Sequence, residues 1–237
     1  MASKLGPVIR EIREAVMNAA RRADDRLPDL PLQHKSQLAK MIRRIRGRDY
    51  FDGNPTDVSS GSRPRGWGDR NTRPSDVLDT DKGKRPDPDS YLTDGYIQQH
   101  RRQFDDGASR FQDLGGYQNY GPYRTDGDGK GFVLPSSEVD RILARADGDL
   151  RVIERELGLP DGMFGDGPVT VVDFPDATPD DIRIPSGNET GASNLWEPGG
   201  KTSGGVPEGV LDGDSPGGGN HGARTGDDGL PFVIGGA

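Results

Sequence analysis

An α+β fold is predicted by three features of the sequence. Short β-rich runs stand at residues 132–134, 169–174, 182–184 and 206–211, two amphipathic helical segments begin near Ser136 and Asp149, and turns rich in Gly, Pro and Asn separate them. Strands that follow helices in this order imply a small sheet with a helix pair, carried by one compact domain at about residues 90–215.

The elements can be justified in chain order. Residues 7–26 read as an amphipathic helix, with Pro7 in the first turn and Val8, Ile9, Ile12, Val16 and Ala19 at helical spacing. A second helix is expected at 36–46, where Leu38, Met41, Ile42 and Ile45 share one face, so residues 1–52 form a helical hairpin. A hairpin this small needs a helical partner for its stripe over residues 7–46, or the main domain itself. Its cluster Arg43, Arg44, Arg46 and Arg48 reads as a solvated helix face, and a nucleic-acid or acidic contact is the sharper alternative. Residues 53–89 show no periodicity and are expected to be a disordered linker.

Beyond that, 91–104 looks helical, with Tyr91, Ile97 and Phe104 facing inward. Ser136 fits an N-cap ahead of Val139, Ile142, Leu143 and Ala146, and Gly148 supplies the left-handed stop. Asp149 caps the next helix, whose Leu150, Ile153 and Leu157 face the core until Gly158 ends it. Residues 216–237 read as a Gly-rich tail whose Leu230–Ile234 end either docks on the domain or, as is the rule for such termini, frays.

Composition narrows the functional classes. Of the 237 residues only 30% are hydrophobic, against 36 glycines and 19 prolines, so one core with long unordered segments is expected. The absence of cysteine excludes disulfides, thiolate zinc sites and a catalytic thiol. No apolar run is long enough for a membrane span, and the N-terminus lacks a classical signal peptide. Residues 1–89 carry 19 Lys+Arg against 14 Asp+Glu, whereas residues 90–215 carry 11 against 23. So acidic a domain disfavours a polyanionic partner unless it has a local basic groove, which leaves nucleic acid open.

Two familiar motifs fail on inspection. Asp126-Gly-Asp-Gly-Lys-Gly131 begins like a calcium loop but has Lys130 at its fifth position and Ser137 at its twelfth, so no metal site is expected. Gly199-Gly-Lys-Thr202 lacks the upstream glycine and the following helix of a phosphate loop. The richest stretch is Ile184 to Glu208, where glycines alternate with Asn188, Glu189, Asn194, Trp196, Lys201, Thr202 and Glu208. It reads as a functional loop whose backbone approaches a ligand closely, against a set of tight turns around a Trp anchor. His100 is the one histidine in the acidic domain, either a general acid/base or a solvated helix residue.

Several strings together, Ser90-Tyr-Leu-Thr-Asp-Gly-Tyr-Ile97, Phe104-Asp-Asp-Gly-Ala-Ser-Arg-Phe111, Gly131-Phe-Val-Leu-Pro-Ser-Ser-Glu-Val-Asp140, Gly158-Leu-Pro, Pro185-Ser-Gly-Asn-Glu189, Trp196-Glu-Pro-Gly-Gly and Pro207-Glu208, give the chain its character. This combination resembles C-terminal toxin domains of bacterial polymorphic toxins. The resemblance implies an effector delivered into a target cell by a specialised bacterial secretion system, with a cognate immunity protein as partner. It assigns no catalytic residues.

Three functions follow as expectations. The first is an enzyme that consumes NAD as substrate, with no bound cofactor, by glycohydrolysis or ADP-ribosyl transfer. In it Glu189 or Glu208 stabilises an oxocarbenium ion, Trp196 stacks on a ring, and Arg110, Arg124 or Lys201 meets the pyrophosphate. The second is a ribonuclease with His100 as acid/base and Arg101, Arg102 and Lys201 on the phosphate. The third is a non-enzymatic protein-interaction module.

Overall fold

The computed structural model describes residues 66–68, 72–123, 127–165 and 167–235, all within the unit Pro55–Ala237 of the two into which the chain divides. The expected helical hairpin at 1–52 lies outside the described residues. Among these residues the fold is α+β, with one seven-stranded sheet and five α-helices.

The strands are β1 (Ala108–Asp113), β2 (Lys130–Pro135), β3 (Val169–Phe174), β4 (Ile182–Arg183), β5 (Gly209–Asp212), β6 (Gly222–Ala223) and β7 (Val233–Ile234). They run in the order β4-β5-β2-β1-β3-β6, with β7 also on β3, and every pairing is antiparallel. Central β1 pairs with all six residues of β3, from Ala108 opposite Phe174 to Asp113 opposite Val169. Its own sequence, Ala-Ser-Arg-Phe-Gln-Asp, carries little β propensity. The β-branched run of β3 supplies the template, so pairing overrides local preference.

Side-chain alternation divides the core between the two faces. On one face Phe111, Leu134, Val169 and Val171 pack against Val139, Ile142 and Ala146 of helix Ser136–Ala146 and Ile153 and Leu157 of helix Leu150–Leu157. On the other, Ala108, Val133, Val172, Phe174 and Leu211 meet Phe104 and Ile182, with Tyr117 and Tyr123 alongside. A third cluster gathers Trp67, Val77, Tyr91, Leu92, Ile97, Ile184 and Trp196. The remaining helices, Pro74–Asp79, Asp94–Arg101 and Leu114–Tyr120, flank these cores. In chain order the five are α1 (Pro74–Asp79), α2 (Asp94–Arg101), α3 (Leu114–Tyr120), α4 (Ser136–Ala146) and α5 (Leu150–Leu157). No helix among the described residues is long and apolar enough to cross a membrane.

Four sequence readings change. Where it is described, the segment expected as a disordered linker is packed: Trp67 bridges to Leu92, α1 buries Val77, and Arg85 and Pro88 are buried. Composition misled here because a few anchors, spaced among Pro, Gly and Asp, suffice when a larger core receives them. The Gly-rich tail also belongs to the domain, since β6 and β7 join β3 and Ile234 is buried. Arg224 fixes that return, donating to both oxygens of Asp173 at 2.9 and 2.8 Å and to Asp140 at 2.7 Å. Ser136 is not the N-cap of α4, a place Pro135 takes. Its hydroxyl pairs with Ser109 at 2.8 Å, and Ser109 in turn donates to Asp173 at 2.6 Å. Left-handed Asp147 ends α4 one residue before left-handed Gly148. Asp149 and Gly158 bound α5 as expected.

Glu154 of α5 is wholly buried, and its carboxylate accepts from Arg151, Gly162 N–H and Phe164 N–H at 2.8, 2.9 and 3.1 Å. Burial alone raises its pKa, but these donors outweigh burial and leave it lowered. A carboxylate with a lowered folded pKa stabilises the protein above its unfolded pKa and loses that contribution as pH falls through the folded value. Glu154→Gln is therefore expected to cost about 1–3 kcal/mol at pH 7 by urea unfolding, with the gap from wild type narrowing in acid. A gap that stays constant with pH excludes the charge as its origin.

Candidate active site

The loop between β4 and β5 builds the site by folding on its own polar groups. At Pro185-Ser-Gly-Asn-Glu189 the chain turns through Gly187, with φ +78°. Buried Glu189 reaches back, its Oε1 accepting the Ser186 N–H at 3.0 Å and hydroxyl at 2.9 Å, its Oε2 the Gly187 N–H at 2.8 Å.

The segment before α2 then clamps the loop. Asn188 accepts the Gly83 and Arg85 N–H groups at 2.7 and 3.2 Å and donates to the Arg85 carbonyl at 2.9 Å. Arg85 donates to the Gly187 carbonyl at 2.7 Å and lays its guanidinium over the Trp196 ring, 4.7 Å from the centroid. Lys82 donates to the Thr190 and Ala192 carbonyls, both at 3.0 Å. The Trp196 ring is thus a buried anchor, one face covered by Arg85, where a ligand-stacking platform was expected.

Glu208, just before β5, is placed by its backbone. Its N–H donates to Gly200 at 2.8 Å and its carbonyl accepts from His100 Nε2 at 3.0 Å. Its carboxyl finds no hydrogen bond or ion pair among the described residues, unlike that of Glu189. Burial first, and then the charge of Glu189, push its pKa up to about 8. Glu208 is therefore mostly protonated at neutral pH.

His100 is only 2% exposed, which overturns the solvated-helix reading. Burial takes its pKa down to about 4; the Glu208 carbonyl opposes this, while Lys201 and Arg101 reinforce it. The neutral ring lies between Tyr96 and Phe104, its Nδ1 3.4 Å from the Gln103 amide. It ties α2 to the strand that carries Glu208. Gly200 permits this approach, because a Cβ there would stand 2.8 Å from the imidazole.

The other expected residues scatter. Lys201 is half-buried near His100, and Thr202 closes a turn by accepting the Val206 N–H at 3.2 Å. Asn188 is occupied by the clamp, and Asn194 is exposed in the turn before Trp196. Arg124 and Asp126 lie outside the described residues. Arg110 sits over Gly131, whereas Phe132 packs toward Trp196. Neighbours on a strand point to opposite faces, so the sheet separates Arg110 from the Trp196 side of the loop. Sequence reasoning missed Lys82, Arg85 and Tyr96; the one available signal was the basic run Lys82-Gly-Lys-Arg85 beside Pro86 and Pro88.

No family model, curated protein or solved structure matches this chain.

Two outcomes test this geometry. A carboxyl whose folded pKa is raised contributes stability below its unfolded pKa, and that contribution disappears as pH rises through about 8. Wild type is expected to lose at least about 1 kcal/mol relative to Glu208→Gln between pH 5 and pH 9, measured by urea unfolding. Parallel pH profiles would remove Glu208 as the buried acid. A Cβ at Gly187 would fall 2.4 Å from Arg85 and 2.5 Å from Trp196. Gly187→Ala should thus destabilise by more than about 1 kcal/mol and shift the tryptophan emission; unchanged emission would mean that the clamp yields without cost.

Proposed function

We propose that this domain is the effector part of a polymorphic-toxin-like protein and that it consumes NAD at the Glu208 site, by glycohydrolysis or ADP-ribosyl transfer. The observation that carries the reading is the Glu208 carboxyl, without a hydrogen-bond partner among the described residues, raised to about 8 beside Glu189. A carboxyl without a protein donor can meet the positive charge that develops when a glycosidic bond breaks. Glu189 is a positioning residue here, since three donors already saturate it.

In glycohydrolysis the bond from ribose C1′ to nicotinamide breaks, its electron pair leaving with the nicotinamide. The form of the enzyme that reacts is the one whose Glu208 has already given its proton to solvent, so that its carboxylate faces the positive charge growing at C1′. That carboxylate stabilises the cation and takes a proton from the water whose oxygen bonds to C1′. In ADP-ribosyl transfer a target nucleophile replaces the water. Lys201, beside His100, is the nearest candidate cation for the pyrophosphate.

The ribonuclease reading draws less support. Its acid/base would be His100, which is buried and engaged with the Glu208 carbonyl, and 23 acidic against 11 basic residues over 90–215 oppose a polyanion. The proposal also includes delivery by a specialised secretion system, a cognate immunity protein and a helical partner for residues 7–46.

The test is expression of the full chain in bacterial cytosol, with NAD content and RNA integrity followed together. Rapid NAD loss with intact RNA is expected, abolished by a folded Glu208→Gln variant. With purified protein, kcat/KM for NAD should rise with pH and level off above about 8. RNA cleavage that precedes NAD loss would replace this reading with the ribonuclease. Neither change from a folded chain would replace it with the interaction module.

A further inference from the structure

A second buried charge lies on the face of the sheet away from Trp196. Arg110 of β1 is half-buried, its Nε sealed among protein atoms, yet it makes one hydrogen bond among the described residues, from Nη1 to the Pro122 carbonyl at 2.8 Å. Its Nε is buried without a partner. Among the described residues no carboxylate pairs with it, and the titratable neighbour it feels there is the Tyr123 phenol. Two residues on, Gln112 donates to the Gly121 carbonyl at 2.9 Å while its buried Oε1 has no partner. Aromatic groups wall this region: His221 meets Tyr117, Tyr123 and Phe174 with centroids 6.0, 6.3 and 6.0 Å apart. Tyr117 and His221 are linked at 3.3 Å, and Tyr123 donates to the Gly218 carbonyl at 3.0 Å.

Arginine does not escape burial by losing its proton, and an uncompensated buried cation costs several kcal/mol. Such a site is completed by an anion from outside. Arg110 Nη2, neither hydrogen-bonded nor sealed off, is the open end of the guanidinium. We propose that Arg110, with Tyr123 beside it and Tyr117 and His221 next to Tyr123, forms a binding site for a small phosphate-bearing ligand. The planar guanidinium matches a phosphate through paired N–H donors. The aromatic rings beside it offer apolar walls to the remainder of the ligand. Among the described residues, Asp212 acts on Tyr123. The site is independent of the chemistry at Glu208.

The test uses the full chain with inorganic phosphate as the probe, and with sodium chloride and acetate at matched ionic strength as controls. Phosphate is expected to raise the Tm of wild type and of Glu208→Gln alike, by about 5 °C near saturation. Arg110→Met should show no phosphate-dependent rise, together with a baseline Tm at or above wild type. In wild type, the NMR signal of the Arg110 Nε–H should move on phosphate titration, which keeps the test independent of how the variant folds. A phosphate effect that survives Arg110→Met, or an Arg110 signal that stays still, overturns the site. An equal response to acetate overturns its assignment to phosphate.

Discussion

The guanidinium of Arg85 holds the Gly187 carbonyl through one nitrogen and covers the indole of Trp196 with its face, while Asn188 closes three hydrogen bonds on the backbone of residues 83 and 85. Through this contact the long glycine-rich loop becomes a defined surface. Backbone order costs about 1–2 kcal/mol per residue, and this loop contains no helix and only isolated bridges to offset that cost. Polar contacts with a segment about a hundred residues earlier in sequence, together with one buried indole, supply the compensation. Glu189 takes its position from the same turn, and the level of the Glu208 pKa depends in part on Glu189.

The chain thus uses glutamates in two opposite ways. Glu154 and Glu189 are saturated by donors, and each sews a loop to itself. Glu208 has its backbone fixed from both sides and its carboxyl left open. Glu154 and Glu189 are buried and fully supplied with donors, whereas Glu208 is half-buried and its carboxyl receives none among the described residues, which leaves it available to a ligand.

The helix pair and four of the seven strands were legible because their apolar periodicity is local. Val139, Ile142 and Ala146, or Ile153 and Leu157, announce a buried face within a dozen residues. β1 was not legible, since Ser109 and Arg110 occupy interior positions whose partners, Asp173 and the Pro122 carbonyl, are remote or irregular in sequence. The packed segment at 72–89 escaped for the same reason: Val77 and Arg85 acquire meaning only against Ile184, Gly187 and Trp196. Of the site, Glu189, Glu208 and His100 were recognised as residue types. That His100 serves as a buried tie and Trp196 as an anchor depends on burial, which a single sequence does not encode locally.

Glu208 and Arg110 pose the same electrostatic problem with opposite signs, and their chemistry allows different answers. A half-buried carboxyl crowded by protein and by a second carboxylate can neutralise itself by taking a proton, and Glu208 does so up to about pH 8. Nothing outside the protein is needed to settle it; in the proposed reaction the proton has passed to solvent before the carboxylate meets a cation. A guanidinium has no such reserve: burial lowers the pKa of Arg110, but from so high a value that the group stays charged throughout the physiological range. Its compensation must be an anion. One face of the sheet therefore carries a group suited to meeting positive charge during a reaction, and the other a group that needs negative charge at rest. The first is a requirement of turnover and the second of occupancy, so mutations at the two positions should separate in their effects on rate and on stability.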